Sequence, residues 1–82
     1  MENTTYLTKA GHKKLLDELE HIKKIRRLEI ANRIKDAKEL GDLSENAEYA
    51  DARDEQSFNE GRILELESML KEVEVIGNGG SD

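Results

Sequence analysis

Asp42 and Glu45 are the side chains of this sequence best suited to do chemistry, and they lie in the stretch Leu40-Gly41-Asp42-Leu43-Ser44-Glu45-Asn46-Ala47-Glu48-Tyr49. On one helical turn a D-x-x-E pair holds two carboxylates with Cβ atoms about 5–6 Å apart, and such hard oxygen ligands suit Mg²⁺ or Mn²⁺. The same spacing is also a capping box, with Asp42 as N-cap and Glu45 at N3, and taken alone it means capping more often than metal binding. From Glu39 to Ala52 the chain carries Glu39, Asp42, Glu45, Glu48 and Asp51 but no Lys or Arg. Like charges this close repel one another, and a cation would relieve the repulsion. Mg²⁺ keeps several waters and takes one or two carboxylates plus ligands from elsewhere, commonly phosphates. An exposed pair holds it weakly, so any chemistry here needs a partner that completes the coordination.

Other candidates are fewer. Lys38 and Arg53 flank the acidic stretch on opposite sides at similar distances, so a hairpin would bring them beside its tip. Tyr49 lies within one or two helical turns of the carboxylates, where its ring could stack on a base or simply pack. His12 and His21 have no partner pattern for metal ligation, and no Gly-rich phosphate loop or nucleophile constellation is present.

Composition narrows the classes further. With 82 residues the chain forms one small domain that buries only about 60 % of its surface on folding, which leaves no room for a deep active site. Charged residues make up 39 % against 35 % apolar, with no Pro and no Cys. This is the balance of long solvated helices. The lack of Cys agrees with a reducing compartment. No signal-like or membrane-length apolar run occurs, so a cytoplasmic protein without membrane contact is expected. Charge is unevenly spread: residues 9–38 hold ten bases and five acids, whereas residues 39–82 hold three bases and thirteen acids. A net charge of −6 makes a poor non-specific nucleic-acid binder, although a local basic face can still meet phosphate.

The elements that must position the acidic stretch are two helices. Thr8 is a suitable N-cap, and from there Leu15, Leu19, Ile22, Ile25, Ile30, Ile34, Ala37 and Leu40 recur at helical spacing. The eight-residue step from Ile22 to Ile30 predicts a stutter in the packing. Gly41 follows the last periodic residue, where a left-handed C′ position favours Gly. A second pattern opens at Asp42 or Ser44 and runs through Ala47, Ala52, Phe58, Ile63, Leu66, Leu70 and Val73. Two such helices joined by a short turn predict an all-α fold, a long antiparallel two-helix coiled-coil hairpin with an acidic tip. Its basic first arm would lie against its acidic second arm. Residues 1–76 form the finger, and residues 77–82 read as a flexible Gly-rich tail.

Gly41 to Tyr49 resembles the tip of the bacterial transcript cleavage factors of the GreA/GreB family. The likeness continues through Leu7-Thr8-x-x-Gly11, Leu15-x-x-Glu18-Leu19, Arg26-Arg27-x-Glu29-Ile30, Gln56 with Phe58, and Glu60-Gly61-Arg62-Ile63-x-x-Leu66-Glu67. The resemblance implies a transcription elongation factor, not itself an enzyme, whose finger enters the secondary channel of RNA polymerase. There Asp42 and Glu45, which match the family's metal-directed pair, would help hold the second catalytic Mg²⁺ while the backtracked polymerase hydrolyses its own RNA. Leu43, Ser44, Asn46 and Tyr49 would support the tip. Lys38 and Arg53 match the basic spot for the RNA 3′ portion, which resembles the small patch of GreA more than the broad one of GreB. Two departures stand out. Leu28 occupies the place of the family's usual Pro, and the family's second, FKBP-like domain is not encoded here. The expectation is therefore a monomeric N-terminal domain with weak polymerase affinity. A channel-binding inhibitor and a plain coiled-coil interaction module are the competing expectations.

Overall fold

Thr8 starts the first helix, as its type and position predict. Its backbone is extended (φ −75°, ψ 167°) and its hydroxyl oxygen accepts the Gly11 N–H at 3.0 Å. One of the donors that a helix start leaves unpaired is thereby satisfied. The computed structural model describes residues 5–76. The expected tail, residues 77–82, lies outside the described residues.

Strand β1 (Thr5–Thr8) runs into helix α1 (Lys9–His21), a π-helical turn (Ile22–Arg26) and helix α2 (Arg27–Lys38), which together make one uninterrupted first arm. A 3₁₀ turn (Leu43–Glu45) leads into helix α3 (Ala47–Lys71), the second arm, and the chain ends its described part in strand β2 (Val73–Ile76). The result is the expected helical hairpin, with extents of 58 × 27 × 12 Å. At its base the two strands pair in parallel, Thr5 opposite Val73 and Thr8 opposite Ile76. These strands are an addition to the all-α expectation. Val73 had the spacing of a helical seam, but α3 stops at Lys71, and the β-branched Val73, Val75 and Ile76 favour an extended chain.

The predicted stutter takes the form of the π turn. At about 100° per residue, a regular helix would carry Ile30 about 80° and Ile34 about 120° around from Ile22. The wider π turn absorbs one residue, which returns both to within about 20° of Ile22. All three are buried. The same shift explains two corrections to the expected seam. Ile25 sits inside the widened turn and is 48 % exposed, and Leu40, beyond the helix end, is 70 % exposed. Phe58 is also off the seam, at 79 % exposed, and Ala47 and Ala50 face solvent.

The core is divided into two clusters. Near the base Ile22, Ile63 and Leu66 pack with Leu15, Leu19 and Met69. Nearer the tip Ile30, Ile34 and Ala52 pack with Tyr49. Of Ala47, Ala50 and Ala52 near the tip only Ala52 is buried between the arms, while the larger side chains at the base remove more apolar area from water, at about 25 cal/mol per Å². Ion pairs fasten the arms along the shaft. Arg27 meets Glu60 through two bonds of 2.8 Å, Lys23 meets Glu67 at 3.0 Å, and Arg26 and Arg33 both bond Glu55. In the reverse sense Arg62 of α3 donates to Glu18 at 2.9 and 3.1 Å. Opposite charges of the two arms thus meet along the shaft, in the sense that the uneven charge distribution predicts.

Candidate functional site at the hairpin tip

Residues 39–46 connect the arms, and their backbone is shaped by one glycine and two side-chain caps. Helix α2 ends with the Glu39 N–H bonded to the Asp36 carbonyl at 3.1 Å and the Leu40 N–H to that of Ala37 at 3.0 Å. Gly41 then takes φ +129°, a conformation that L side chains rarely adopt. The spacing predicts a left-handed Gly41 directly at the helix end; the positive φ is present, but it falls two residues beyond the C-cap Glu39, with Leu40 between them.

Asp42 leaves Gly41 in an extended conformation (φ −61°, ψ 120°) and caps the 3₁₀ turn, not a long helix. Its Oδ1 accepts both the Ser44 N–H at 3.0 Å and the Ser44 hydroxyl at 2.9 Å. These two bonds, backbone first, hold the Asp42 carboxyl below its usual value, so it stays ionised. Oδ2 has no partner among the described residues. Glu45 lies in the 3₁₀ turn, is exposed, and makes no side-chain bond among them either. The reciprocal bond of a capping box is therefore missing, and the two carboxylates do not share one α-helical turn as the spacing suggested.

The residue that caps α3 is Asn46. Its Oδ1 accepts the Tyr49 N–H at 3.0 Å, and its Nδ2 donates to the Ala37 carbonyl at 2.6 Å. Sequence reasoning placed Asn46 at the tip but gave the cap to Asp42 or Ser44. Asn is itself a strong N-cap type immediately before the acidic first turn, and that signal was available. Tyr49 is half-buried against the Ile30, Ile34 and Ala52 cluster, and the Arg53 guanidinium lies over its ring, 6.0 Å from the centroid. Its ring therefore packs and supports the tip. Leu43, another tip residue, is 41 % exposed.

Lys38 closes α2 and Arg53 lies in the second turn of α3; both are exposed, and neither forms an ion pair among the described residues. They differ in this from Lys23, Arg26, Arg27 and Arg33, whose charges are engaged with α3. Of the five acids between Glu39 and Asp51, Glu48 alone meets a base among the described residues, Arg33 at 3.4 Å. Ion pairs between the arms thus line the shaft, whereas at the tip only Glu48 among these acids meets a base. No group of three or more potential metal ligands occurs among the described residues. Two open carboxylates suit a shared cation, one whose other ligands come from a second molecule.

Comparison with known proteins agrees with this architecture. Residues 5–75 match the GreA/GreB family profile described as transcription elongation factor, N-terminal. The chain belongs to this family. It is 53 % identical over 76 residues to a protein of Thermoanaerobacter pseudethanolicus named transcription elongation factor GreA, an alignment covering 93 % of this chain and 48 % of that protein. Proteins of the same name from Bacillus cytotoxicus and Syntrophomonas wolfei are 48 % and 51 % identical, covering 99 % and 92 % of this chain and 51 % and 47 % of theirs. This member of the GreA/GreB family stands closer to GreA, and it spans about half the length of the curated relatives it matches. Among its described residues no helix is long and apolar enough to cross a membrane.

Proposed function

We propose that this chain is the finger of a transcription elongation factor that acts on bacterial RNA polymerase as an accessory and not as an enzyme. The observation that carries the proposal is the placing of Asp42 and Glu45, two carboxylates without a basic partner among the described residues, at the end of a 58 Å rod whose arms are joined along the shaft by ion pairs such as Arg27–Glu60 and Arg33–Glu55. A rod about 12 Å thick in its smallest dimension suits entry into the polymerase secondary channel. Inside it, Asp42 through its open Oδ2 and Glu45 through its unbonded carboxylate would share the weakly held second Mg²⁺ with the polymerase. Bound there, such an ion supplies charge stabilisation and an activated water for phosphodiester hydrolysis. The chain's own contribution is to deliver two ionised carboxylates and to keep their approach fixed through Ser44 and Asn46. Lys38 and Arg53, which form no ion pair among the described residues, would meet the 3′ portion of the extruded RNA.

RNA cleavage by backtracked bacterial RNA polymerase, with Mg²⁺ and this chain at high concentration, tests the proposal. Stimulated cleavage should disappear in Asp42→Asn and Glu45→Gln variants that circular dichroism shows to be folded. An inert wild type that still crosslinks inside the channel would instead favour inhibition. Loss of stability with intact partner effects would reduce Asp42 to its capping role.

A further inference from the structure

The first arm departs from regular helix at Ile22–Arg26, and this is also where the hairpin lacks a continuous core. The base cluster ends at Ile22 and Ile63, and the tip cluster begins at Ile30 and Ala52. Between them the arms meet through side chains that are charged or polar: Arg26 on Glu55, Arg27 on Glu60, and Asn59 on the first arm's backbone. In the π turn the Arg27 N–H bonds the Ile22 carbonyl, five residues back. That carbonyl also accepts from Asn59 Nδ2 at 3.2 Å.

We infer that Asn59 is a positioning residue that pins the π turn at Ile22–Arg26 and so sets the rotational phase at which the first arm carries the tip. One extra residue must be absorbed somewhere between Ile22 and Ile30, because without it the tip-proximal apolar side chains rotate about 100° off the seam. Helix propensity does not choose the place, since Lys23, Lys24, Arg26 and Arg27 are all good helix formers. The neighbouring ion pairs do not choose it either. Their side chains are about one-third to one-half exposed, and such pairs are compliant. Asn59 alone, among the described residues of the shaft between the clusters, bonds from one arm to the backbone of the other. Shifted towards the base, the extra residue would turn Ile22 out of its cluster; shifted towards the tip, it would turn out Ile30. The aim of Asp42 and Glu45 follows from this phase, and only that last step rests on the proposed function.

The test needs no polymerase, so its failure is distinct from failure of the functional proposal. Spin labels at Lys14 and Lys35, exposed and without ion pairs among the described residues, span the turn on one arm, about 30 Å apart at 1.5 Å per residue. Two variants are compared with wild type by electron–electron distance measurement. Asn59→Val removes the donor, and Asn59→Asp is nearly isosteric but also has no N–H to give. Both should stay cooperatively folded while the distance distribution broadens and the Arg27 amide loses exchange protection by about tenfold or more. An unchanged distribution in both, or broadening in one alone, overturns the inference. Deleting Lys24 covers the case in which both variants unfold. The deletion removes the extra residue itself, so it should leave a regular α-helix with Ile30, Ile34, Ile63 and Leu66 all still protected, and loss of protection at Ile30 and Ile34 would equally overturn the inference.

Discussion

Asn46 ties the two arms together at the tip by donating to the Ala37 carbonyl at 2.6 Å while accepting the Tyr49 N–H at 3.0 Å. One side chain therefore closes the last turn of α2 and opens the first turn of α3. The loop bearing Asp42 and Glu45 hangs between those two attachments, so its direction depends on Asn46 more than on any cap of its own.

Asn46→Ala should accordingly remove two interactions at once. Loss of an N-cap costs about 1–2 kcal/mol, and loss of the bond to Ala37 adds about 1 kcal/mol. Asn46→Asp keeps the acceptor for Tyr49 but has no donor for Ala37, so it should fall between wild type and Asn46→Ala. Urea unfolding followed by circular dichroism would rank the three. An Asp variant no better than Ala would show that the cap contributes nothing.

Gly41 invites a simpler substitution. Nothing lies within 4 Å of a Cβ built at this position, so Gly41→Ala meets no clash, yet its φ of +129° remains strained for any L side chain. The expected loss is about 1–3 kcal/mol, arising wholly in the backbone. The urea midpoint should drop while the far-ultraviolet spectrum of the folded chain stays unchanged. A midpoint equal to wild type would mean that the loop relaxes into another turn.

The arms, the N-cap Thr8, the stutter and the pairing of opposite charges were legible because each rests on local spacing or residue type. The split of the core was not. Periodicity counts Ile25, Leu40 and Phe58 as seam residues, since it cannot locate the residue that the π turn absorbs or the place where the helix stops. The strands escaped notice because four residues are too few to show alternation, and parallel pairing joins segments at opposite ends of the chain. At the tip, residue types pointed to Asp42 and Glu45, but their geometry depends on φ/ψ values at Gly41 and Asp42 that spacing does not encode.

Leu66 and Phe58 separate these two levels experimentally. Both carry seam spacing, but Leu66 is fully buried and Phe58 is 79 % exposed. Leu66→Ala should cost about 2–5 kcal/mol through lost transfer energy and a cavity. Phe58→Ala should stay within about 0.5 kcal/mol, as surface changes usually do. Comparable losses at both sites, measured by thermal or urea unfolding, would mean that Phe58 is covered in solution.

Acid should loosen the hairpin before it melts the helices. The Glu18 carboxyl is held below its usual value of 4.5 chiefly by hydrogen bonding from Arg62, and that of Glu60 likewise by Arg27. In the unfolded chain both return to ordinary values, so near and below pH 4.5 the unfolded state binds more protons than the native one. Stability from these pairs is therefore complete above the ordinary carboxylate value and is lost as pH falls through the depressed native values. Each contribution is small because the pairs face solvent. The urea midpoint should be flat from neutrality down to about pH 5.5 and decline below about pH 4.5. A Glu18→Gln, Glu60→Gln variant should start from a slightly lower plateau and decline less steeply. If its acid limb matched that of the wild type, the dependence would have to come from other carboxylates.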